Sequence, residues 1–490
     1  MKKFITFFVI LFTITSINSL TAQFNPDSLQ VKINRIVKNY VDTNSAGMVV
    51  GVIRKDGVTP VITHRYTFGH IRKDTTSPRP DSLTIFHIGS VTKSYTATIL
   101  SMLIQQGGPI NLRDFVEDHI PLDSVRAPFY VTPQHDTVKM TILDLATHYS
   151  ALPDDPIQPI HDSTSYPMMY KYLNSHQLSR APGQCFLYSN LGVSFLGVVV
   201  TNTLGEIIDS LFIHKLCDTL DMPDTRITLT PQQEHRRPVG YLSNGDSVGY
   251  FKNSWPAFYA AGGLYTTIKD FMKYLQFNMG MSNIGMQSVL DSAHKIRRVS
   301  NDTCENPDSK GRVGLVWQMA LLNPQTDSSF YFTWKDGGVP GFSSFICFTY
   351  DAAKNLKSGV VMISNFSIPV DKLAIEILKY LNADSAMSGV SQISQNIPDN
   401  FKLYQNYPNP FNPSTKIKFD ITQDIKQQTQ DVKLIVYDVL GKEVEALVNE
   451  KLLTGSYETE FNGTNFPSGV YFYKLTIGNY KEIKKMFLVK

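Results

Sequence analysis

The spacing of apolar positions changes period along this chain, and each change marks out an element. Leu29 through Tyr40 places apolar residues at helical intervals. GMVVGVIRKDG and TPVITHRYTFG then read as two adjacent strands meeting at a Lys55-Asp56-Gly57 turn. FHIGSVTKSYTATILSMLIQQGG returns to an apolar helix that begins near Gly89. After a long loop-rich middle section, FYFTWKD, GFSSFICFTYD and KSGVVMISNF restore the strand pattern, and VDKLAIEILKYLN closes it with a helix. The simplest assembly of these pieces is α+β: an antiparallel sheet made of the first and last strands, with helices on its faces and a helical region beside it.

Beyond the closing helix, residues 384–398 (DSAMSGVSQISQNIP) are aperiodic and rich in Ser, Gln and Asn, which reads as a linker. Residues 399–490 then alternate apolar and polar positions in KIKFDI, DVKLIVYDVLGKEV, GSYETEFNG, GVYFYKLTIG and KKMFLVK. Separated by Gly, Pro and Asn turns, these segments predict a small Ig-like β-sandwich. At the other end, Lys2 and Lys3 precede an apolar stretch from Phe4 to about Thr15, followed by small and polar residues up to Ala22. That order is the pattern of a secretory signal peptide over residues 1–22. The alternative is an uncleaved anchor, but the apolar run is shorter than the roughly 20 residues that a span needs. No later segment is long and apolar enough to span. A soluble exported chain is expected, starting near Gln23 or Phe24, with its first domain over residues 24–383.

Composition narrows the picture further. With 42% hydrophobic and 18% charged residues over 490 positions, the chain can bury a large core and is neither disordered nor collagen-like. A formal charge of +3 is too small to indicate a nucleic-acid surface, so a small or uncharged partner is expected. Cys185, Cys217, Cys304 and Cys347 form no CxxC pair and have no His at metal spacing. Export permits disulfides, yet buried thiols are the expected state. Asp154-Asp155 lacks a third ligand at suitable spacing, so neither a metal nor another cofactor is implied.

The candidate chemistry begins at Ser90-Val91-Thr92-Lys93. Three residues apart on a helix, Ser90 and Lys93 share a face, and a buried lysine that sheds its proton can activate a serine hydroxyl. Spacing alone does not single this pair out, because Ser292 and Lys295 repeat it in the polar stretch DSAHKIRRVS. Context does: Tyr188-Ser189-Asn190 sits between a Pro-Gly turn and an apolar helix, and Lys335-Asp336-Gly337 ends a strand. Other Tyr-x-Asn triplets, at Tyr172, Tyr380 and Tyr404, lack such a setting.

The ordered set SxxK, YxN and KxG resembles the penicillin-recognising serine hydrolases. Residues from about 28 to 382 are similar to the class C β-lactamase family, with its D,D-peptidases and esterases. TIFHIGSVTKSYTATIL, MTILDLATHYSALP, PGQCFLYSNLGVSFLG, AAGGLYTTIKDFMKYL, VGLVWQM and DGGVPGFSSFICF look like successive blocks of that family. The resemblance implies a β-lactamase/D,D-peptidase-like fold. It also implies Ser90 as the nucleophile forming an acyl-enzyme, with its own N–H and that of Gly338 as the oxyanion hole. Lys93 and Tyr188 would jointly carry the proton, Lys335 would keep the field positive, and Asn190 would hold Lys93 and meet a substrate amide.

Two departures shape the expected substrate. Family members that bind β-lactams often have a hydroxyl residue between the Lys and Gly of the third motif. This chain has Asp336, which would repel a substrate carboxylate if it faced the cleft. No Glu-x-x-Asn follows Tyr188, so class A deacylation machinery is not visible either. Hydrolysis of an ester or amide, such as a D-amino-acid peptide or short acyl ester, is therefore expected ahead of β-lactamase activity or a non-catalytic binding role. His148 is expected to be structural, while His87, beside the nucleophile helix on a strand-like approach, fits a packed ring as well as a site residue. FKLYQNYPNPFNPSTKIKFDI, VYDVLGKEV, SGVYFYKLTIG and KKMFLVK resemble a type IX secretion C-terminal sorting domain, which implies that secretion machinery as a partner and a secreted or surface-attached location.

Overall fold

The computed structural model describes residues 26–44, 47–55, 61–74, 76–154, 165–249, 255–282, 284–299, 311–323, 327–350, 357–382, 390–394, 398–422, 430–464 and 466–490. The expected signal peptide lies outside them. One unit covers Gln30–Ala383, and a second includes Asp384–Lys490.

The first unit is built on an antiparallel sheet. Its strands are β1 (Met48–Lys55), β2 (Ile62–Phe68), β3 (Arg298–Val299), β4 (Arg312–Val313), β5 (Gln318–Asn323), β6 (Asp327–Val339), β7 (Phe342–Tyr350) and β8 (Lys357–Ser364), in the order β2-β1-β8-β7-β6-β5-β4-β3. The earliest strands thus pair with the last, as the sequence pattern predicts. Every β1 position from Met48 to Arg54 is buried, so both faces of the sheet are covered. Helix α1 (Pro26–Asn44) lies beside the closing helix α4 (Val370–Asn382), where Lys32 pairs with Glu376 at 3.4 Å. Leu373, Ala374, Ile377, Leu378 and Leu381 form the buried stripe of α4, which packs on β7 and β8. Val49, Ile53, Val361 and Ile363 point instead into the main core, which holds α2 (Thr92–Gln105) and α3 (Asn190–Leu204).

Helix α2 is buried at every position from Thr92 to Leu103. Such a helix has no solvent face, and its hydroxyls are satisfied internally: Thr96 donates to the Ala260 carbonyl at 2.6 Å and Ser101 to that of Val289 at 2.7 Å. Helix α3 is apolar all round and buried from Leu191 to Val200. Among the described residues no single helix is long and apolar enough to cross a membrane.

The second unit is a pair of four-stranded antiparallel sheets. One runs β9-β14-β11-β10, from Val390–Ser394, Gly455–Asn462, Ser414–Ile421 and Lys402–Leu403. The other runs β13-β12-β15-β16, from Glu443–Leu452, Gln430–Tyr437, Gly469–Ile477 and Tyr480–Leu488. Strict alternation of buried and less buried residues in β11, β12 and β14 supplies the shared core, as a sandwich requires. One expectation needs correction: residues 384–398 are not linker throughout, because Val390–Ser394 pairs with β14. Backbone pairing at a sheet edge needs no apolar alternation, so the polar stretch gave no strand signal.

Candidate active site

A sharp turn places Ser90. Strand Ile85–His87 leads into a single 3-10 turn, Gly89–Val91, from which α2 continues. Gly89 has φ of 48°, and a Cβ there would meet the Gly338 backbone at 2.8 Å, so both conformation and space require glycine. The turn is tied down on both flanks. His87 Nδ1 accepts the Gly89 N–H at 3.0 Å, and the Ser344 hydroxyl donates to the Ile88 carbonyl at 2.7 Å. His87 is fully buried, and burial followed by the nearby Arg237 charge pushes its pKa down to about 3. It is a neutral packed ring, one of the two readings its sequence setting leaves open.

The helical spacing brings Lys93 Nζ to 2.9 Å from Ser90 Oγ. Lys93 also donates to the Ala261 carbonyl at 2.8 Å and to Asn190 Oδ1. The latter two groups can only accept, so they claim two of the amine's protons. In a neutral Lys93 the remaining position is a lone pair available to the Ser90 hydroxyl. The lysine is wholly buried, and that burial lowers its pKa, assisted by the Lys335 charge and opposed by Tyr188. Asn190 is held by its place at the start of α3. Ser189 caps this helix by accepting the Gly192 N–H at 2.7 Å, and Asp154 Oδ1 accepts the Asn190 N–H at 2.9 Å.

Tyr188 sits between two cations. Lys93 Nζ and Lys335 Nζ lie 5.2 and 5.3 Å from its ring centroid. Burial works to raise the phenol, but the charges of Lys335 and then Lys93 outweigh it, and the pKa falls. Burial likewise works against charge on Lys335, yet Asp336 and Tyr188 hold it protonated and shift it up. Lys335 donates to Asp336 Oδ1 at 2.8 Å and to the Asp336 carbonyl at 3.0 Å. In turn the Lys335 charge lowers the Asp336 carboxyl to about 2, although that side chain is 59% exposed.

Strand β6 pairs with β5 only as far as Trp334, so Lys335 through Val339 present a free edge beside the Ser90 turn. Gly337 is packed so closely there that a Cβ would strike the Ile88 carbonyl and come within 2.9 Å of the Val91 nitrogen. This close approach sets Gly338 beside Ser90, and the two line both cavities that flank the serine. One cavity, about 760 Å³, is walled by Tyr188, Phe186, Phe332, Trp334, Asp336 and Asp371 among others. The other, about 240 Å³, is walled by Asn190, Trp255 and Phe258.

The fold therefore assembles Ser90, Lys93, Tyr188, Asn190, Lys335 and Gly338 from segments far apart in the chain. Ser292 and Lys295 are not brought together: the Ser292 hydroxyl takes a 3.0 Å bond from Arg297, and Lys295 is exposed. Three contributors escaped sequence reasoning. The Ala261 carbonyl is a backbone group with no side-chain signature. Asp371 reaches the cleft from α4. His148 is structural, yet it stacks on Tyr188 with centroids 4.6 Å apart and accepts the Ser189 N–H on Nδ1 at 3.2 Å. Cysteine usage also differs from expectation: Cys217 and Cys347 are buried free thiols, but Cys185 is disulfide-bonded. Cys304 and Asp155 lie outside the described residues, and among those described no group of His, Cys, Asp and Glu could hold a metal.

Residues 33–382 match the Beta-lactamase family, and residues 405–490 match the Secretion system C-terminal sorting domain. The chain is 30% identical over 251 residues to the D-alanyl-D-alanine-carboxypeptidase/endopeptidase AmpH of Escherichia coli K12, covering 49% of this chain and 60% of that protein. It spans about 60% of the length of the curated relatives it matches first. Among solved structures, a class C beta-lactamase superposes with a TM-score of 0.58 at 22% identity, covering 72% of this chain and 97% of the other. A D-alanine carboxypeptidase from Burkholderia cenocepacia gives 0.56 at 23% identity, covering 72% and 99%. The fold of the first unit is thus the one these structures share.

Proposed function

From the premise that this chain belongs to the beta-lactamase family, we propose that it is an exported serine hydrolase acting on an ester or amide through an acyl-enzyme at Ser90. The observation carrying this reading is the 2.9 Å contact of the buried Lys93 amine with Ser90 Oγ, with its other protons committed to Asn190 and Ala261. In acylation, Ser90 Oγ attacks the carbonyl while its proton passes to the Lys93–Tyr188 pair. The oxyanion is received by the Ser90 and Gly338 N–H groups, at a helix start where amide dipoles favour negative charge. Collapse breaks the bond to the leaving group, which takes the proton from the pair. Water then attacks the acyl-enzyme and gives a proton to the same pair, which passes it to Ser90 Oγ as the acyl bond breaks, releasing the acid product and a free Ser90 hydroxyl. Lys335 keeps Tyr188 acidic enough to share that proton.

A D-amino-acid peptide or a short acyl ester is the substrate this reading favours. Asp336 stands on the wall of the larger cavity where a β-lactam carboxylate would have to approach, which weighs against a tuned β-lactamase. The C-terminal sorting domain supports passage through a type IX secretion machinery to the cell exterior or surface, following a signal peptide over residues 1–22. A fluorophosphonate probe should label the wild-type chain and spare Ser90→Ala, and only the wild type should hydrolyse p-nitrophenyl acetate. Equal labelling of the two proteins would refute the assignment of Ser90.

A further inference from the structure

The two cavities beside Ser90 are unlike in charge, and the difference addresses the half of the substrate that departs. Tyr188 lines the larger cavity and not the smaller one, whereas Asn190 lines only the smaller. A leaving group must collect its proton from the Lys93–Tyr188 pair, so it departs on the Tyr188 side, into the 760 Å³ cavity. The charged side chains on that cavity's lining, Asp336 and Asp371, are both carboxylates. The cations Lys93 and Lys335 stand behind the wall, wholly buried. Helix α4 begins at Val370, and its N-terminus would by itself favour an anion, but Asp371 occupies that first turn and supplies the negative charge internally. The same wall is also aromatic: Phe332 and Trp334 line it and stack with centroids 4.6 Å apart. Carboxylates combined with aromatic faces favour an ammonium over a carboxylate.

Resting on the acyl-enzyme reading above, we infer that the leaving group of the preferred substrate carries a positive charge and no free carboxylate. The substrate class is then an ester or amide of a cationic alcohol or amine, including peptide bonds whose departing amine bears a second ammonium. Chemically the step is ordinary acyl transfer: the acyl bond to the leaving heteroatom breaks, Ser90 Oγ keeps the acyl group, and the proton that Ser90 gave up goes to that heteroatom.

Three acetyl thioesters that differ only in the leaving thiol test this on the full chain: thiocholine, its neutral isostere 3,3-dimethylbutanethiol, and 3-mercaptopropionate. Released thiol is followed colorimetrically. We expect kcat/KM to fall in that order, with about tenfold or more between cation and anion. Asp371→Asn, which touches neither Ser90 nor the lysines, should shrink that ratio about threefold, and Asp336→Asn with Asp371→Asn should abolish the order. Reading ratios within each variant cancels any general loss caused by disturbing Lys335. Comparable or faster turnover of the anionic ester, or an unchanged ratio in the double variant, would overturn the inference. Binding of the three corresponding thioethers to the Ser90→Ala full chain, measured by calorimetry, keeps the tests separate. Absence of all turnover would count against the hydrolase reading, while the order of binding alone would still decide the charge preference.

Discussion

The imidazole of His148 lies flat against the phenol of Tyr188, with planes inclined by 29°, while its Nδ1 accepts the N–H of Ser189. His148 adopts φ of 60°, a left-handed conformation uncommon outside glycine and entered most readily by Asn, Asp and His. Burial, reinforced by the Lys93 and Lys335 charges, drives its pKa far down, so the ring remains neutral beside two cations. In the proposed mechanism it would be a positioning residue, its ring set against Tyr188 and its Nδ1 bound to the capping residue of α3.

His148→Asn keeps a short polar side chain suited to that backbone but removes the stacking surface. A misplaced proton relay weakens the chemical step more than ground-state binding. The expected result is a kcat about tenfold lower, with KM changed by less than about threefold. Wild-type kcat in a folded variant would show that the stacking does not orient Tyr188.

Lys335 contributes charge to Tyr188, and its removal should appear in the pH profile. Taking away a cation disfavours the phenolate, so the Tyr188 pKa must rise. In Lys335→Met the acidic limb of kcat/KM should therefore move to higher pH, and activity near neutrality should fall. An unmoved limb, measured with a neutral ester across the pH range, would separate Lys335 from the proton pair.

In the proposed mechanism Lys93 and Tyr188 handle one proton between them, so their losses should not add. Lys93→Met and Tyr188→Phe should each slow acylation by roughly 10³-fold or more, and the double variant should be little worse than the poorer single variant. Labelling rates with a fluorophosphonate give the comparison. Multiplicative losses would show two independent roles.

The legible part of the site was the part written in side chains on regular elements. Ser90 and Lys93 owe their meeting to helical spacing, and Lys335 and Gly338 to a strand end, so their local contexts carried the signal. Distant contributors left no such mark. Ala261 acts through its carbonyl, and Asp371 matters only because α4 packs on β7 and β8. His148 sits in a segment whose block resemblance indicates structure, and its contact with Tyr188 exists only in three dimensions. That the first strands join the last in one sheet was readable because β1 and β8 each hold a continuous apolar run, at residues 48–53 and 359–363. Edge strand Val390–Ser394 was not, because its pairing runs through the backbone.

Acid should destabilise the first unit through histidines buried in neutral form. Burial, the dominant cause for both rings, pushes His87 and His294 down to about 3, against an ordinary value of 6.5. The unfolded chain then binds protons that the folded chain refuses. The stability conferred by each ring is complete above about pH 6.5 and is lost progressively as pH falls toward 3, by up to about 1.4 kcal/mol per pH unit. Asp270 works in the opposite sense: burial raises it to about 6, so the folded state gains a proton between there and its ordinary 3.8. Comparing a variant with its parent at each pH cancels that contribution. His294 packs among Trp317 and Phe348 and lies 3.1 Å from Asn278 Oδ1. His294→Gln should lower stability at pH 7 but flatten its fall between pH 6 and 4.5 by about 1 kcal/mol per unit. The three tryptophans, Trp255, Trp317 and Trp334, all lie in the first unit, so their fluorescence in urea reports its unfolding without contribution from the C-terminal sandwich. Parallel stability curves for parent and variant over that range would show that His294 titrates normally in the folded protein.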